Sequence, residues 1–304
     1  MASCEVILSA GSINSPQLLQ LSGVGPKDVL DKAGVTLVHE SPAVGENLQD
    51  HLGVSYFYKS KVPTLNDQLR PFLGKIYQGL RYIITRRGPL SLSVNQSGGF
   101  IRTRDGLEKP NIQLYFSPVS YSLESPEKRA MMSPDPFSAM LFGISNCSPR
   151  SRGRVHIKTN NPSKPPIIEP NYLSNKEDIR DLLEGVKVLR KLAKTDSFRE
   201  VIGEEFRPGP ECQTDEQMIQ HIKDTVWTVF HPCGTCRMGP DPLKNVVDSN
   251  LRVHGVSNLR VADASIFPQL VCGNINAATI MVGEKASDLI LEDIKSKELE
   301  PKLQ

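Results

Sequence analysis

No stretch of this chain approaches the ~20 consecutive apolar residues that cross a bilayer, so no membrane-spanning helix is expected. A Gly-x-Gly-x-x-Gly behind a strand is also missing, and with it the usual clamp that seats a pyrophosphate on a helix N-terminus. Cysteine is scarce: six thiols in 304 residues are too few and too scattered for a disulfide scaffold. Excess charge is lacking as well. With 36 basic and 34 acidic side chains the net charge is +2, which argues against a nucleic-acid surface. No signal peptide is visible, because Met1-Ala2-Ser3-Cys4-Glu5 runs directly into a β-type stretch. The sequence therefore names no compartment. Internal repeats and low-complexity tracts are absent too.

What is present is an ordinary globular composition. Apolar residues make up 38% and there are 22 glycines, enough for a sizeable core, and the length suggests about two domains. The 23 prolines are separated by hydrophobic segments and read as fixed turns rather than disorder. A strand is predicted over 5–9. Ser15 and Pro16 then read as the cap and first position of a helix that Gly23 to Pro26 stops. A short helix over 27–32 closes at Gly34, and 35–39 reads as a strand.

Beyond Gly53 the pattern changes. Segments 111–116 and 154–158 alternate apolar and polar, as half-buried antiparallel strands do. A helical stretch over 72–86 ends at Gly88-Pro89. Ile179, Leu182, Leu183, Val186, Leu189, Leu192 and Ala193 share one helix face, and Thr214 with Gln217 forms a capping box before Met218 and Ile222. Both apolar stripes are expected to be core. Segment 120–136 is polar and aperiodic, a loop that is a candidate cover for a site. From Trp227 onward, 258–262 reads as a strand, 263–265 as a turn, and the final helix begins near Ala277 with Val282, Ala286, Leu289, Ile290 and Ile294 on one side. A charged tail follows from Lys295.

Three motifs carry chemistry. The first is Gly11-Ser12-Ile13-Asn14-Ser15-Pro16-Gln17-Leu18-Leu19-Gln20-Leu21-Ser22-Gly23-Val24-Gly25. The second is Phe230-His231-Pro232-Cys233-Gly234-Thr235-Cys236-Arg237-Met238-Gly239. The third joins Val261-Ala262-Asp263-Ala264-Ser265-Ile266-Phe267-Pro268 to Gly273-Asn274-Ile275-Asn276-Ala277-Ala278-Thr279. Together they resemble the C-terminal part of the GMC (glucose–methanol–choline) flavin oxidoreductases, in particular the insect glucose dehydrogenase-like group. Asn47-Leu48-Gln49-Asp50-His51 also looks like a motif of that family, at a domain boundary, where a histidine is more often structural than functional.

The resemblance implies a mixed α+β and α/β fold: a partial FAD-binding domain beside an antiparallel-sheet substrate domain with covering helices. In that reading 1–50 is a remnant of the FAD-binding domain, 51–226 the substrate-binding domain, 227–296 the return to the FAD domain, and 297–304 a tail. It further implies FAD as cofactor, an alcohol or sugar substrate oxidised at a CH–OH group, and a quinone-like acceptor or oxygen. Members are often secreted. Since the first motif lies mid-chain in the family and here starts at residue 11, the chain reads as the C-terminal half of a longer enzyme. The alternative is a truncated, catalytically silent isoform.

Alcohol oxidation by a flavin needs a base for the hydroxyl proton, a hydride acceptor and a donor for the developing alkoxide. Imidazole, with a reference pKa of about 6.5, suits the first. His231 follows the apolar residues Trp227, Val229 and Phe230, and burial there would favour its neutral form. The resemblance gives His231 the role of base and Asn274 that of its catalytic partner. It implies flavin contacts by the backbone at Ala264 and Asn276, with Asp263 and Ala277 beside them, and adenine-side contacts at Ala10 and Gly11. The family often reads Asn-Ala-Pro-Thr where this chain has Asn276-Ala277-Ala278-Thr279. Cys233 and Cys236 could be a redox pair, a zinc site with Cys272, or buried packing residues. The last is preferred and no metal is expected. His39, His156, His221 and His254 read as structural or surface residues.

Overall fold

The computed structural model describes residues 4–122 and 133–299. It is a mixture of helices and sheets that divides into two units. One comprises 1–51, 148–175 and 228–304; the other comprises 52–147 and 176–227. The stretch 148–175 was expected in the central segment but clusters with the chain termini.

In the first unit the strand Val6–Leu8 lies parallel to Leu259–Val261. The helix that follows spans Gly11–Leu21, not a segment opened by Ser15 and Pro16. The reason is local. Ser15 does not cap; its hydroxyl accepts from the Ala10 amide at 3.1 Å and donates to Asp263 at 2.5 Å. Pro16 inside a helix forgoes the bond to the Ser12 carbonyl. The Thr235 hydroxyl donates to that carbonyl at 2.6 Å instead, from 223 residues away. The next helix, Lys27–Ala33, ends on Gly34 at φ 71°, as expected. Segment 35–39 is not a strand: only His39–Glu40 pairs, in parallel with Val24–Gly25.

Gln20 explains why 148–175 belongs here. It is fully buried in the first helix, and its amide nitrogen donates to the Val44 and Val155 carbonyls at 3.2 and 3.0 Å. Its oxygen accepts from the Ile157 amide at 2.8 Å. The strand Gly153–His156 thus joins Glu46–Leu48 and Ile167–Glu169 in a three-stranded sheet. A core of Leu19, Val44, Val246, Val261, Ile266 and Val282 completes the unit, with Cys233 and Cys236 inside it. The final helix, Asn276–Leu299, starts within a residue of the expected position.

The second unit is built on an antiparallel sheet whose main path runs Ile202–Arg207, Leu52–Ser60, Ala139–Asn146, Ile112–Ser117, Ser97–Ile101. Helix Lys176–Ala193 covers it with Leu182, Val186 and Leu189, the stripe read from the sequence. Gly185 permits the close approach: a Cβ there would lie 2.6 Å from Ile144 Cδ1. The Thr214–Gln217 capping box is present, and such a box is worth ~1 kcal/mol to its helix. One stripe departs from expectation. The helix Phe72–Thr85 forms, but its apolar residues face outward. The expected loop over 120–136 is flanked by a short ladder of Tyr121–Ser122 with Ser133–Pro134, and 123–132 lie outside the described residues.

Candidate active site

His231 is held from both sides of its ring. Its Nδ1 lies 2.9 Å from Nδ1 of His51, and its Nε2 lies 3.3 Å from the Asn274 side-chain nitrogen. The two imidazoles meet edge to face at 5.1 Å between centroids. Hydrogen-bonding logic orders the protons. An amide nitrogen only donates, so with Asn274 in this orientation His231 Nε2 carries a lone pair. The ring proton then sits on Nδ1 and is donated to His51 Nδ1. This is the tautomer a base acting at Nε2 requires.

The backbone that carries His231 is fixed by Asp50. One carboxylate oxygen accepts from the His231 amide at 2.9 Å; the other accepts from the Tyr172 hydroxyl at 2.7 Å and the Thr228 hydroxyl at 2.5 Å. Phe230 sits at φ 60°, a region an aromatic residue enters at a cost of ~1 kcal/mol. Its exposed ring does not form the apolar surround expected for His231. Burial does come, but from the site's own walls. It pushes the His231 pKa below the ordinary histidine value, with the nearby Asp50 charge opposing the shift.

Residues 47–51 are the scaffold. Gln49 exchanges backbone bonds with Cys233 at 2.9 and 3.0 Å, and its side chain accepts from the Leu270 amide at 3.1 Å. It therefore ties the His231 segment to the loop leading to Asn274. The Asn47 amide donates to the Gly234 carbonyl at 3.1 Å. Gly234, at φ 88°, cannot carry a side chain: a Cβ would come within 2.8 Å of both Asn47 and Gln49. His51, weighed as structural from the sequence, thus touches the base directly. The signal was there in the motif Asn47-Leu48-Gln49-Asp50-His51, but only the fold shows that its every polar residue faces 228–234.

The expected cofactor residues form a second cluster. Asp263 accepts from the Gly11 amide at 2.9 Å and the Ser15 hydroxyl through one oxygen, and from the Ser265 amide at 2.7 Å through the other. Its carboxylate is thus spent on joining the turn at Ala10-Gly11 to the turn at Ala264. Gly234, Cys236 and Met238 donate backbone bonds to Ala264, Ser265 and Ile266 at 3.2, 2.8 and 2.8 Å. This ladder connects the cluster to the His231 motif. Asn276 and Ala277 open the last helix, whose first intrahelical bond runs from Thr279 to Ile275. The amides before Thr279 precede that bond and are available to an acceptor. At Gly11 a Cβ would meet nothing within 4 Å, so its backbone is open to a ligand. These features fit a flavin nucleotide: free helix-terminal donors, and two turns locked by one carboxylate.

Cys233 and Cys236 are both fully buried in the apolar core. Burial pushes the Cys233 thiol up to about 12 and raises that of Cys236 further, opposite to what a reactive pair needs. Among the described residues no three His, Cys, Asp or Glu side chains gather as a metal site. His254 bonds the Gly239 carbonyl at 2.9 Å, and His221 packs edge to face on Tyr56.

Two family models, both described as GMC oxidoreductase, match the chain, one over residues 1–53 and the other over 149–283. Among curated proteins it is 40% identical over 297 residues to an alcohol dehydrogenase [acceptor] of Pseudomonas putida, covering 97% of this chain and 52% of that one. It is 44% identical over 290 residues to an oxygen-dependent choline dehydrogenase of Vibrio vulnificus, covering 94% and 50%. Among solved structures, a formate oxidase of Aspergillus oryzae, studied for its FAD modification, superimposes with a TM-score of 0.89 at 29% identity, covering 97% of this chain and 55% of that one. The chain spans about half the length of the curated relatives it matches.

Proposed function

This chain belongs to the GMC oxidoreductase family, and from that membership we propose that it carries the base and the substrate-side elements of an FAD-dependent oxidoreductase acting on the CH–OH group of an alcohol. The observation that carries the proposal is the bracketing of one imidazole by His51 and Asn274. A histidine with a free Nε2 lone pair, a depressed pKa and a proton-accepting partner on its far nitrogen is built to take a proton at neutral pH.

In this reading a substrate hydroxyl donates to His231 Nε2. The Asn274 amide, displaced from that nitrogen, donates to the substrate oxygen. Once Nε2 takes the proton, the ring is an imidazolium whose Nδ1–H is still accepted by His51. Asp50 adds a stabilising charge nearby. Ala264, Asn276, Ala277, Ala10, Gly11 and Asp263 would hold the FAD, Asp263 by shaping the turns and the others by backbone contact. The flavin, when bound, supplies the hydride acceptor. The finer likeness to the insect glucose dehydrogenase-like group would extend the substrate to a sugar and make the acceptor quinone-like, with oxygen the alternative.

The test is His231→Ala in the flavin-loaded enzyme, followed with an alcohol and a quinone-like dye. Turnover should fall by about two to four orders of magnitude, the size of a general-base effect. A loss under about tenfold would remove His231 from the role. A protein that takes up no flavin and turns over no alcohol would instead support the silent alternative.

A further inference from the structure

The helix Phe72–Thr85 in the second unit is folded inside out. Phe72, Leu73, Ile83 and Ile84 are 76%, 77%, 66% and 78% exposed, whereas Gln78 is only 6% exposed. Tyr77 and Leu80 add to the same outward apolar surface, and Leu90, Leu92 and Val94 continue it past the helix. The inward face is instead small and polar. A Cβ on Gly74 would lie 2.3 Å from the Gln68 carbonyl, and the Gln78 amide donates to the Gln68 side chain at 3.3 Å. The helix is thus anchored by its weakest face and presents its apolar one. A contiguous apolar surface of this kind marks a place of association.

Charge identifies the occupant. From Gln68 to Thr103 the chain has no aspartate or glutamate, while Arg70, Lys75, Arg81, Arg86 and Arg87 fall within or beside the helix. None of the five forms an ion pair among the described residues. The Arg86 guanidinium lies over the Tyr82 ring at 5.4 Å, its stem along the helix and its charge at the end. A second copy of the same surface would bring like charges together. An anionic lipid surface would meet both features at once: headgroups for the cations, the acyl boundary for the apolar residues. Fourteen residues rise about 21 Å, short of the ~30 Å hydrocarbon core, so the helix would lie along the surface and not cross it.

We propose that the Phe72–Thr85 helix and the Pro89–Val94 segment form a peripheral docking surface for anionic membranes. The experiment is flotation of the purified protein with vesicles of phosphatidylcholine alone and with about 30% phosphatidylserine. Binding should be at least tenfold stronger to the anionic vesicles and fall with salt, as charge-assisted docking does. The double variant Ile83→Glu/Ile84→Glu should lose at least tenfold in binding. Because both residues are exposed it should keep its circular dichroism and melting temperature. A second variant, Lys75→Gln/Arg81→Gln/Arg86→Gln, should bind both vesicle types alike and weakly. The proposal is overturned if the protein fails to float with anionic vesicles, or if the glutamate variant floats as well as the wild type. A concentration-dependent dimer, abolished by that variant in the absence of lipid, would also overturn it and make the surface a self-association site. Failure here leaves the catalytic reading untouched, since none of these residues touches His231.

Discussion

Replacing His51 by phenylalanine keeps a flat ring in the site and removes only the nitrogen that faces His231. In the resting enzyme the lost contact is one neutral hydrogen bond of 2.9 Å. After proton transfer it is a bond to a cation, worth about 1.5–3 kcal/mol. At 1.36 kcal/mol per decade, that difference lowers kcat/KM by about ten- to 150-fold, less than the loss expected for His231→Ala. The protonated form of His231 is the one deprived, so its pKa should fall and the acid limb of the pH profile should move to lower pH. The informative assay is a double-mutant cycle in the flavin-loaded enzyme, with alcohol-dependent dye reduction as the readout. In a His231→Ala background, His51→Phe should have almost no further effect, because its target is gone. Two results would refute the reasoning: a His51→Phe enzyme within about threefold of wild type, or a full and independent loss in the His231→Ala background.

The other expectations are simpler. Burial holds the His231 pKa below its ordinary value, so kcat/KM should rise with pH and reach its plateau below about 6.5; a plateau reached only above pH 7.5 would contradict this. Gln20→Leu leaves the Val44 and Val155 carbonyls and the Ile157 amide without their partner and should cost about 2–4 kcal/mol of stability, measured by urea denaturation; a change below 0.5 kcal/mol would show that water replaces the side chain. Gly185→Val would drive a branched side chain into Ile144 and Ile112, so the melting temperature should drop by an amount matching about 2–3 kcal/mol, with a neutral result pointing to a helix free to shift.

The parts of this molecule that were legible in the sequence are those decided locally. The stripe from Leu182 to Leu189, the Thr214 cap and the Gly34 stop depend on neighbours within a turn or two, and each is found as expected. The pairing of His231 with Asn274 was reached through the family motifs, not through spacing. What escaped was set by partners remote in the chain. Ser15 and Pro16 look like a helix start until Asp263 and Thr235 are brought against them. Gly153–His156 alternates as a strand should, yet which sheet it enters depends on Gln20. His51 looks like one boundary histidine among six, and its role exists only because residue 231 lies across from it. The outward face of Phe72–Thr85 has the periodicity of core, and periodicity does not say toward what the face is turned.

The proline in the first helix has one more implication. Its neighbourhood is whole only when Thr235, four positions past the proposed base, has arrived to complete the Ser12 backbone. Secondary structure near the beginning of the chain is therefore hostage to placement of the residues that do the chemistry near its end. Amide exchange around Ser12 becomes a remote gauge of whether the reactive segment is seated, readable without substrate, flavin or turnover.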